Sequence, residues 1–225
     1  MNRRINRYCL LIRILAHDDT DTLEDVLHTL GRAAHRAERR ISDVAKTQDG
    51  DCLAEIIAEE TMLVEDLIGC AFVAAQTYIA RIISRVIWLH QRVARDGHVL
   101  KTTCAKKPAI IHGFNNLITK TKYSEIELID AFANYFKHHE EWPKWDNATG
   151  QSERTIRVIR SVGASEDSSD NCRKGLTALG IDPVFHVFTM VEILSKWLSN
   201  LADAYKQELN RLVNHDVSHD KNGNT

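Results

Sequence analysis

From Cys52 to Ala94 the chain has no proline and one glycine, Gly69, and it keeps a single apolar stripe throughout. Leu63, Leu67, Ala71, Ala74, Tyr78, Ile82, Val86, Leu89 and Val93 follow one another at steps of three and four. That period belongs to a helix and not to a strand, so the segment is either one very long helix or two helical halves bent near Gly69. Between Leu67 and Leu89 most of the circumference is apolar, which suits a helix at the centre of a bundle. The fold class this implies is all-α, a helical bundle with one long central helix.

The rest of the chain agrees. Three prolines and ten glycines in 225 residues, with few alternating runs, argue for helix throughout, and an apolar fraction of 44% supplies a core. Residues 1–214 read as a single all-helical domain, with 1–47 readable as an N-terminal helical extension and 215–225 as a disordered tail. Helices are expected over 3–16 and from Thr22 to about Ala45, with a turn at Gln48-Asp49-Gly50-Asp51. Asp96-Gly97 closes the long helix, and residues 98–122 form the least regular segment. Further helices are expected over 152–162, capped by Ser152, and from Asp170 to Leu179. A last one starts at Asp182-Pro183 and runs to about Asn214.

The helix that carries candidate chemistry begins after Tyr123. Ser124 caps it, Glu125 and Glu127 suit its positive end, and Pro143 limits it. Ile129, Phe132, Ala133 and Phe136 share its core face, with Leu128 and Tyr135 at the edge. Glu127, Asp130, Asn134, His138 and Glu141 stack into a polar row on the other side. His138 is the histidine presented by that row, whereas His139, about 100° round, falls near the apolar arc. A polar helix face is commonly just solvated. The sharper reading is a nucleic-acid site in which His138 serves as acid or base.

The run Ala133-Asn134-Tyr135-Phe136-Lys137-His138 resembles the motif helix of HEPN domains, small helical bundles of bacterial toxin and phage-defence systems. Their signature is an arginine, four to six residues and a histidine, often with a polar residue after the arginine. Asn134 and His138 match; the arginine position holds Ala133. The resemblance implies RNA binding or metal-independent RNA cleavage in bacterial defence or stress biology, by a homodimer joined along the polar row. His138 would be acid or base, Asn134 would orient phosphate, and Lys137 would stand in loosely for the missing cation. Asp130, His139 and Glu141 would support them, and loss of the arginine is compatible with a catalytically degenerate member. The segment Arg85-Val86-Ile87-Trp88-Leu89-His90 has the same spacing, but its apolar interior assigns Arg85 and His90 a structural role.

The net charge of −2 provides no global field for nucleic acid. Lys106, Lys107, Lys120 and Lys122, in the segment leading into the motif helix, are the candidates for a local phosphate-attracting patch beside His138. Arg154, Arg157 and Arg160 read as a solvated helix face. The alternative function is a non-enzymatic protein–protein interaction module, with Trp142 and Trp145 as interface anchors. No phosphate-cradling glycine loop, metal-ligand helix or dinucleotide fingerprint is present, so no cofactor or metal is expected. Five widely spaced cysteines suggest a reducing compartment, and no apolar run is expected to span a membrane, which together point to the cytoplasm.

Overall fold

Ser124 accepts the backbone N–H of Glu127 at 3.2 Å and so opens the motif helix where the sequence places its cap. A computed structural model describes Tyr8 and residues 20–47, 52–100 and 106–221. Among these residues there are seven α-helices and no strand. They are α1 (Asp21–Thr47), α2 (Cys52–Arg95), α3 (Lys107–His112), α4 (Glu125–His138), α5 (Gly150–Arg160), α6 (Asn171–Ala178) and α7 (Met190–Lys221). Short 3-10 turns at His139–Glu141, Trp145–Asn147 and Val184–Thr189 join them. The expected helix over 3–16 and the turn at 48–51 lie outside the described residues, Tyr8 excepted.

The long segment is one uninterrupted helix of 44 residues. Gly69 does not break it. A Cβ built there would lie 2.1 Å from the ring of Phe136, so the missing side chain is what lets α4 cross α2 closely. The same device recurs twice. Gly175 of α6 accepts the ring of Phe132, and Gly31 of α1 accepts the backbone carbonyl of Phe185. Around these crossings Phe72, Ile79, Ile82, Phe132, Leu194 and Trp197 are fully buried in one core. In length and mean hydropathy α2 does reach membrane-spanning dimensions, contrary to the sequence expectation, and 56% of its most apolar window is buried within the fold.

Several boundaries differ from the expected ones. The irregular segment holds a short helix, α3, because Pro108 pre-sets its first turn, and a bridge joins Leu117 to Ser124. Helix α5 starts at Gly150 and not at Ser152, whose hydroxyl instead donates to the Thr149 carbonyl at 2.9 Å. Pro183 opens a 3-10 turn, and α7 starts only at Met190, since Val184 and Val187 are drawn into the core beside α1. At the other end α7 continues past Asn214 to Lys221, where no glycine or proline interrupts it.

Candidate functional site

Along the polar row of α4, burial changes with position. Glu127, Asp130 and Asn134 are half-buried, while His138 and Glu141 are exposed. The row therefore starts inside a cleft and runs out onto the surface. The start of α4 is anchored to α3, because the buried Ser124 hydroxyl donates to the carbonyl of Ile111 at 3.4 Å.

The polar residues are tied together by a group on α2. Gln76 Nε2 donates to Asp130 Oδ1 at 2.8 Å and to Asn134 Oδ1 at 3.0 Å. Its carbonyl oxygen accepts from Lys137 Nζ at 2.7 Å. Lys107 of α3 donates to Asp130 Oδ1 at 3.1 Å. One amide thus satisfies a carboxylate, an amide and an ammonium, and it fixes that the oxygen end of the Asn134 amide faces Gln76. Sequence reasoning missed Gln76, although a lone amide inside the apolar run Ala71–Ile79 was the available signal.

Beside this network a cleft of about 200 Å³ opens between α3, α4 and α5, with Lys107, His112, Glu127, Asp130, Asn134 and Arg154 on its walls. His112 Nδ1 lies 3.1 Å from Glu127 Oε2. Burial pushes the Glu127 carboxyl above its usual range, and His112 opposes that rise. Neighbouring arginines of α5 are committed: Arg157 pairs with Glu153 at 2.5 Å, and Arg160 pairs with Asp146 at 2.7 Å while lying over the Trp145 ring. Arg154, exposed at the cleft wall, has no such pairing among the described residues.

The other candidates are scattered. His138 lies one turn beyond Asn134, exposed, with Nδ1 3.3 Å from Glu141 Oε2. His139 Nδ1 faces the Tyr135 carbonyl at 3.1 Å and serves the end of α4. Lys106 caps α3 and is exposed beside Lys107. Lys120 adopts φ 64° in the turn before α4, and Lys122 lies over the Tyr123 ring at 5.6 Å. Those two stand at the start of α4, whereas His138 is its last residue, about 20 Å away along the axis. They do not form a patch with His138. Ala133, in the motif's arginine position, is fully buried. Trp145 is 6% exposed and Trp142 packs edge-on against Tyr135, so the two rings proposed as interface anchors are largely spent inside the fold. His90, in the second motif-like run, meets the Tyr205 hydroxyl, and burial lowers its pKa. Comparison with protein-family models, with curated proteins and with solved structures finds no match to the chain.

Proposed function

We propose that this chain is a HEPN-like RNA-binding protein of bacterial defence or stress systems, and that the α3–α4–α5 cleft takes a phosphodiester group of RNA. The observation that supports this reading is Arg154. Its guanidinium lines the same cleft as Asn134 and Lys107, and so supplies from α5 the planar cation that the motif lacks at Ala133. Lys107 and Lys137 add charge on the same side, each held by a bond to Asp130 or Gln76. His138, one turn outward beside Glu141, is the group placed to exchange a proton with a bound strand.

Fluorescence anisotropy with a short labelled single-stranded RNA tests the binding, and end-labelled RNA incubated with chelator tests cleavage. Binding that weakens steeply with salt, and loses about one unit of salt slope in Arg154→Ala, is the expected result. Cleavage that survives chelation and disappears in His138→Ala would make the protein a ribonuclease; binding without cleavage would make it a degenerate member. Absence of binding at low salt sinks the reading altogether.

A further inference from the structure

The exposed residues of α2 form one continuous face. On a wheel of 100° per residue, Glu55, Glu59, Asp66, Cys70, Thr77 and Ser84 fall within about 40° of a common line, and Trp88 and Arg95 continue it. All are exposed. Helix α1 and helix α4 pack on other sides of α2 and leave this face uncovered among the described residues.

Charge along α2 is split. Every acidic residue lies at or before Asp66 and every basic one at or after Arg81. A helix dipole favours such charges only in the first and last turns, and neither Asp66 nor Arg81 is there. Size is arranged symmetrically where charge is arranged antisymmetrically. The middle of the face carries small side chains, Cys70, Thr77 and Ser84, and on either side stand large exposed apolar groups. Met62 is 63% and Leu63 40% exposed on one side, with Trp88 50% exposed on the other.

We propose that this face is a homodimer seam, in which two copies of the chain pair antiparallel along α2 about a two-fold axis near Thr77. A two-fold contact places residue i on j and j on i, so one rotation sets each acidic half against its partner's basic half. The same rotation brings Trp88 of each chain opposite Asp66 of the other, one turn from the exposed Met62. The small residues between let the helices approach to about 8–10 Å. A parallel pairing would oppose like charges. An anionic membrane or a nucleic acid would be drawn to the arginine half and repelled by the carboxylate half. This seam is separate from the polar row of α4 and does not depend on RNA binding.

Light scattering after size exclusion tests the seam on the full chain. Wild type is expected at twice the 25.6 kDa chain mass. Glu59→Arg/Asp66→Arg and Arg81→Glu/Arg95→Glu each make both halves of the seam alike in charge, so each should run as a monomer alone. An equimolar mixture of the two should regain the dimer mass, because every opposed pair is again of opposite sign. A monomeric wild type, a double variant that keeps its dimer mass, or a mixture that stays monomeric overturns the proposal. A second measurement does not rely on charge reversal. Ser84→Cys, with the exposed native Cys70, should give a covalent dimer with a short bis-maleimide, and Cys70→Ser added to it should abolish that product. Failure to cross-link also counts against the seam.

Discussion

Glu65, in the middle of the long helix α2, caps α6: its carboxylate accepts the backbone N–H of Cys172 at 2.8 Å and that of Arg173 at 3.1 Å. Asp170, the residue expected to cap α6, bonds instead with Ser168 and Lys174. Burial raises the Glu65 carboxyl above its ordinary value, and the two N–H groups oppose that rise. Glu65→Ala leaves two helix-terminal donors without their acceptor. It should cost about 1–2 kcal/mol of stability. Urea unfolding reads the loss, and amide exchange should quicken selectively at Cys172 and Arg173. Unchanged exchange there would show that the cap contributes nothing.

Where α4 crosses α2, the Phe136 ring occupies the space that a side chain at residue 69 would need. Gly69→Ala forces the helices apart or the ring out of place, which costs about 1–3 kcal/mol. For a chain of this size each kcal/mol lowers Tm by about 2–4 °C. Calorimetry should therefore show a drop of several degrees, partly recovered when Phe136→Leu is added. A variant as stable as wild type would mean that the crossing is loose.

His90 should make the bundle acid-sensitive. Its half-buried ring meets the Tyr205 hydroxyl, and burial lowers its pKa below the ordinary 6.5. Below that pH the unfolded chain binds the proton more readily than the folded one does, so stability present above about pH 6.5 is lost as pH falls toward the depressed folded value. Comparing urea midpoints at pH 7.5 and 5.5, wild type should lose more than His90→Gln. Equal losses would show that this imidazole plays no part in the acid response.

The placement of cations predicts unequal effects on RNA. Arg154→Ala removes a guanidinium from the cleft and should weaken binding by roughly tenfold, about 1.4 kcal/mol. Lys120→Ala with Lys122→Ala acts at the far end of α4 and should change affinity less than about twofold, as single exposed charges do. Anisotropy titrations at one salt concentration compare them. The reverse ranking would move the binding surface to the start of α4.

What was legible in the sequence was whatever depends on a residue's own neighbours in the chain. The Ser124 cap needs only the N–H three residues on and is as expected; the helical period likewise places Ile129, Phe132 and Ala133 in the core, although Phe136 is only half-buried and Ile126, Leu128 and Ala131 widen the buried arc. The structural place of His90 follows equally from the apolar residues beside it. The site was legible only in outline. The row from Glu127 to Glu141 shares one face, yet nothing local says that Asp130 and Asn134 would be held by Gln76, 54 and 58 residues away.

The sequence by itself determined the helical class, the continuous apolar stripe of α2 and the side of α4 that is polar, because periodicity and capping act over one or two turns. Only the tertiary structure decided that Gly69 is a crossing point and not a bend, and that Glu65 displaces Asp170 as a cap. It also decided that Arg154 joins Asn134 in a cleft while Lys120 and Lys122 stand about 20 Å from His138. Each of these turns on which helices come to lie side by side. Close packing of whole helix faces settles that, and the spacing of residues along the chain does not encode it.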